Sequence, residues 1–112
     1  MPYYCYLLYS TKKKRTYIGI TNNLQKRLKK HNSHKGAKST HTAIDWFYHT
    51  IVGEFIDRGS AQSFEWHWKH IINYKKKCVK TKTGLINKMR RLVYLLIDSK
   101  WNNINIIIYT VR

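Results

Sequence analysis

The chain has 112 residues, 43% of them apolar, and its 22 Lys and Arg against five Asp and Glu give a net charge of +17. That length suits one domain spanning residues 1–112, and the apolar fraction rules out a disordered basic tail. Self-repulsion at this charge favours a polyanionic partner, nucleic acid first, and no apolar run approaches the ~20 residues of a membrane span.

Tyr3 to Ser10, "YYCYLLYS", alternates and is rich in aromatics, which predicts a strand. Lys12, Lys13, Lys14 and Arg15 form a basic turn into a second strand, "TYIGIT", from Thr16 to Thr21. So short a link makes the pair an antiparallel hairpin. Asn22 or Asn23 caps a helix reading "LQKRLKKHNS", with Leu24, Leu28 and His31 on one face. Arg27 sits beside that face, where a planar, permanently charged guanidinium suits a phosphate clamp. Lys26, Lys29 and Lys30 belong to a solvated face that meets phosphates loosely.

Ser33 to Asp45 is polar and predicts a loop whose cations, Lys35 and Lys38, contact a nucleic-acid backbone. "WFYHTIVGEF", Trp46 to Phe55, is a third strand. Ser60 caps a helix reading "AQSFEWHWKHII", with Ala61, Phe64, Trp68 and Ile72 as its apolar face. Glu65 falls about 40° from Ala61 on the helical wheel, within that face. A carboxylate there is costly unless something pairs it. It is either a structural residue at the edge of the stripe, held by an Arg or by water, or a functional one. Trp46, Trp66 and Trp68 read as packing residues, with Trp66 pointing off the apolar face. Asn73 to Gly84 is a basic loop, Leu85 to Asp98 a further helix, and "INIIIYTV" a last strand or arm.

The order β-β-α-β-α-α-β gives an α+β fold, a small mostly antiparallel sheet flanked by helices. Cys5 and Cys78 make no disulfide framework, so a reducing compartment fits. His31 and His34 lack the paired cysteines of a structural zinc site.

"YLL" at Tyr6 and "YIG" at Tyr17–Gly19, followed by "TNNLQKRLKKHN" and "FEWHW", resemble the GIY-YIG endonucleases. "KGAKST" and "RRLVYLLIDSKWNNINI" extend the resemblance to the Slx-type structure-selective nucleases over nearly the whole chain. "CYLL" departs from the strict Gly-Ile-Tyr wording. The resemblance implies hydrolysis of DNA phosphodiesters, with branched DNA as substrate, in repair, recombination or replication. It places the two family tyrosines on Tyr6 and Tyr17, the helix arginine on Arg27, a recurrent histidine on His31 and the metal-binding glutamate on Glu65. One divalent ion, Mg2+ or Mn2+, is expected on Glu65, because only five acids exist and they are scattered. Tyr6 is the favoured base and Tyr17 its partner, although the order of the two is open in the sequence. Nearby cations are expected to lower the pKa of both. His31 takes a proton from a tyrosine, binds phosphate, or is a hydrogen-bonded histidine beside the core. Lys12, Lys13, Lys14, Arg15, Lys26, Lys30, Lys35 and Lys38 are the expected DNA contacts. Eukaryotic Slx-type subunits add a zinc-binding RING-like domain for a scaffold partner, and two cysteines are too few for one here. The competing reading is a basic DNA-binding module of the same fold that cuts nothing.

Overall fold

A computed structural model describes residues 2–70, 84–97, 100, 101 and 103–108. Four antiparallel strands, β1 (Tyr3–Ser10), β2 (Arg15–Thr21), β3 (Phe47–Phe55) and β4 (Ile106–Ile108), form one sheet in the order β2-β1-β3-β4. The helices are α1 (Leu24–Asn32), α2 (Arg58–Lys69) and α3 (Leu85–Ile97), with a short 3-10 helix at Lys38–Thr42. This is the expected α+β order. The predicted loop Asn73–Gly84 lies outside the described residues except for Gly84, as do Cys78, Ile72 and Asp98.

The period-2 alternation of β1 gives the sheet two apolar faces. Cys5 and Leu7 join Ile18, Val52 and Phe55 under Phe64, Trp68, Leu92, Leu95 and Trp101 of the α2 and α3 side. Tyr6 and Leu8 point the other way, into Trp46, Tyr48 and Ile51, with Leu24 and Leu28 of α1 packed against them. The central strand is therefore buried on both faces, and any group it carries is held by a core on each side.

Local chemistry fixes the ends of the elements. Asn23 caps α1, its side chain accepting the Lys26 N–H at 3.0 Å. The cap of α2 is Asp57, not Ser60: its carboxylate accepts the Ser60 N–H at 2.8 Å, so the helix begins a turn earlier. The basic turn is anchored by Asp45, which accepts from the Ser10 hydroxyl and from the Lys12 N–H. Arg15 already belongs to β2. Ser33–Asp45 also differs from a plain polar loop. Its 3-10 helix buries Thr40 completely, and the Trp46 indole N–H donates to the Thr40 carbonyl at 2.9 Å.

Candidate active site

In the β1–β2 register Tyr6 lies opposite Gly19, and Leu8 opposite Tyr17. Tyr6 and Tyr17 thus share the α1 face, two positions apart along the ladder, with ring centroids 6.3 Å apart. Gly19 permits this. A Cβ there would lie 2.6 Å from the Tyr6 hydroxyl and 2.8 Å from the Tyr17 ring, closer than any side chain tolerates.

Tyr6 and His31 are fully buried. Their hydrogen bonds run in one direction. Arg27 Nε donates to the Tyr6 hydroxyl at 3.3 Å. The Tyr6 hydroxyl meets His31 Nε2 at 2.9 Å, and His31 Nδ1 meets the Thr40 hydroxyl at 2.8 Å. Thr40 donates to the Ala37 carbonyl at 2.7 Å. A guanidinium cannot accept and a carbonyl cannot donate, so both ends of the chain are fixed. With the ring neutral, Thr40 accepts from Nδ1–H, Nε2 carries no proton and Tyr6 donates to it. The approach of the 3-10 segment also needs a glycine, because a Cβ on Gly36 would meet His31 Nδ1 at 2.7 Å.

The electrostatics follow from this burial. Burial, with the Arg27 charge adding to it, pushes His31 down to about 4, so the ring is neutral at ordinary pH. Burial also pushes the Tyr6 phenol well above its usual pKa, despite the lowering pull of Arg27. For Tyr6 this reverses the expectation that nearby cations would win. Burial lowers Arg27, but the Tyr6 and Tyr17 phenols outweigh it and hold the guanidinium above its ordinary value. Tyr17 is only partly buried and faces an open cleft, with the Lys69 ammonium 5.9 Å from its ring centroid.

Glu65 approaches from α2. Lys69, one turn on, donates to its Oε2 at 2.8 Å, and 21% of its side chain is exposed. The partner is thus a lysine, not the arginine or water expected of a structural edge residue. Its charge is felt at Cys5 and at Tyr6, which places it within electrostatic reach of the buried network. Among the described residues no three His, Cys, Asp or Glu side chains gather as a metal cage. A single carboxylate, completed by phosphate and water, would suit a hard divalent cation.

The expected DNA contacts divide by place. Lys26 and Lys30 line an open groove of about 460 Å3 with Arg27 and Arg58. Lys12, Lys13 and Lys14 are exposed on the hairpin turn, Arg15 is exposed at the start of β2, and Lys35 and Lys38 are exposed on either side of Gly36. Trp46 and Trp68 are core residues, whereas Trp66 is 52% exposed and stacks on His70 at 4.7 Å. Sequence reasoning missed Thr40, Gly36 and Arg58. "KGAKST" held the first two, but nothing local marks a threonine that a distant histidine will need.

The chain is similar to a known family and to several known proteins. Residues 2–77 match the GIY-YIG catalytic domain. A structure-specific endonuclease subunit SLX1 homolog of Cryptosporidium parvum is 46% identical over 61% of this chain and 17% of its own length. An uncharacterized protein of Acanthamoeba polyphaga mimivirus is 37% identical over 96% of this chain and 66% of its own. The UPF0213 protein YsiG of Lactococcus lactis is 38% identical over 89% and 93%. The chain thus spans less than two thirds of the first two relatives and nearly all of the third.

The donor chain makes a prediction about stability. In the unfolded chain His31 protonates near its ordinary 6.5, whereas the folded ring resists a proton until about 4. The unfolded state therefore binds more protons in that window, and stability falls as pH drops through it. Urea unfolding from pH 7 to pH 4 should show a shallower loss for His31→Gln than for the native chain. Parallel losses would count against a buried neutral His31.

Proposed function

We propose that this chain, which belongs to the GIY-YIG family and lies close to its Slx-type members, is a DNA endonuclease acting on branched DNA. The observation that carries this reading is the convergence of Tyr6, Tyr17, Arg27 and His31 on one face of the hairpin, with Glu65 reaching toward it from α2. The net charge of +17 and the groove lined by Lys26, Arg27, Lys30 and Arg58 support a polyanionic substrate.

Burial supports a division of roles. The Tyr6 hydroxyl is sealed from solvent and engaged by both Arg27 and His31, so Tyr6 is the positioning residue. It holds Nε of Arg27 and so fixes which way the rest of the guanidinium faces. Tyr17 lines the open cleft and is the tyrosine that meets the attacking water, the reverse of the order favoured from sequence. Arg27 stabilises the charge that gathers on the scissile phosphate in the transition state. Glu65 is the residue that would hold a single Mg2+ or Mn2+. Such an ion supplies counter-charge to the phosphate and to the leaving oxygen.

The SLX1-type relatives, named as structure-specific endonucleases, support a choice made on DNA structure. Shape and deformability then select the site. A four-way junction and a flap should be cut faster than a linear duplex of the same sequence, with Mg2+ present. Equal rates on all three would remove the structural preference. Glu65→Gln should keep the fold and DNA binding, lose most cleavage and weaken the dependence on Mg2+. Near-native cleavage by that variant at limiting Mg2+ would favour the structural reading of the Lys69 pair, and a binding module if neither protein cuts. Tyr17→Phe should lower single-turnover cleavage by about 10²–10⁴-fold. Tyr6→Phe should cost less, since the phenyl ring still packs; a larger loss at Tyr6 would restore it as the base.

A further inference from the structure

The open cleft that Tyr17 faces, of about 370 Å3, lies between β2, the 3-10 segment and the helices α2 and α3. Its walls carry Lys69 from α2, Lys88 and Arg91 from α3, and the hydroxyl-bearing Thr16 and Ser39. No acidic residue lines it among the described residues. Lys69 also carries the ion pair to Glu65.

Three cations from two helices are thus directed at one space. Lys88 is the most committed of them. Its ammonium donates to the Thr16 hydroxyl, and its backbone carbonyl accepts the Trp68 indole N–H at 2.9 Å, which ties α3 to α2. Burial first, then the charges of Arg91 and Lys69, push Lys88 down to about 8. A fold that crowds cations in this way carries repulsion that an external anion relieves. Hydroxyls beside the ammonium groups supply the donors that an oxyanion accepts.

We propose that the Lys88 end of this cleft is a phosphate subsite, next to the scissile position at Tyr17 and Arg27, which takes a backbone phosphate of the DNA strand adjacent to the one cut. Tyr17 lines the cleft and also belongs to the tyrosine pair beside Arg27, so one strand can run from Arg27 past Tyr17 to Lys88. The inference rests on the reading of DNA as substrate. It adds α3, which lies beyond the matched residues 2–77, to the substrate-binding surface. The salt dependence of DNA binding gains about one phosphate contact from it.

The test uses the full chain, Lys88→Met and Lys88→Arg, in two arms. The Met variant keeps the Lys88 carbonyl that Trp68 uses, and the Arg variant restores the charge. In the first arm inorganic phosphate is titrated while backbone amide shifts are followed by NMR. The amides of Thr16, Tyr17 and Ser39 should shift saturably in the native chain, at least ~10-fold more weakly in Lys88→Met, and near-normally in Lys88→Arg. No saturable shift in the native chain, or the same titration in Lys88→Met, would overturn the subsite. In the second arm a junction carrying single methylphosphonate substitutions is bound without divalent cation. One position should cost the native chain several-fold in affinity and cost Lys88→Met almost nothing. Identical penalties in both proteins at every position would overturn the assignment to DNA. Coupling at one position in a chain that never cleaves would support the subsite and sink the nuclease reading alone.

Discussion

The site depends on a hydrogen-bond chain that can run in only one direction. Arg27 at one end has protons and no lone pair to offer, and the Ala37 carbonyl at the other has the opposite. Between them Tyr6, His31 and Thr40 each accept once and donate once. All three lie in the core, where an unmade hydrogen bond carries its full desolvation cost. Protonating His31 would put a second donor against the Tyr6 hydroxyl and break the order. The neutral ring follows from its burial and from the Arg27 charge beside it.

Two close approaches make this chain possible. Gly19 lets the phenols of Tyr6 and Tyr17 lie across β2, and Gly36 lets the 3-10 segment press on the His31 ring. The glycine of "YIG" is thus explained by what sits over it. A methyl group at either place would collide with the atoms that carry the network. The surrounding cores hold the two sides in position: α1 through Leu24 and Leu28, and the 3-10 segment through Trp46.

The few carboxylates have structural work. Asp45 pins the hairpin turn, Asp57 caps α2 and Glu54 accepts the Tyr4 hydroxyl at 3.1 Å. Glu65 carries the one ion pair among the described residues. The cations on the hairpin, α1 and α3 consequently outnumber any internal counter-charge. The surplus sits around the tyrosine pair, in the groove beside Arg27 and in the cleft beside Lys88.

The sequence by itself determined the elements and the residue types. Alternation defined β1 as Tyr3–Ser10, Asn22 or Asn23 announced α1, and helical spacing marked α2 and α3. The words around Tyr6, Tyr17, Arg27 and Glu65 pointed to the family, because side-chain chemistry and short-range period are written locally. Tertiary structure alone decided what those residues face. Tyr6 meets His31 from 25 positions away, and Lys88 meets Thr16 from 72. Local period cannot report contacts at such separations. It could not say that Tyr6 would be sealed and Tyr17 left open, that Glu65 would find Lys69, or that Thr40 would set the tautomer of His31. Each of those outcomes depends on which surfaces the sheet and helices exclude from water, and that exclusion exists only once the layers have packed.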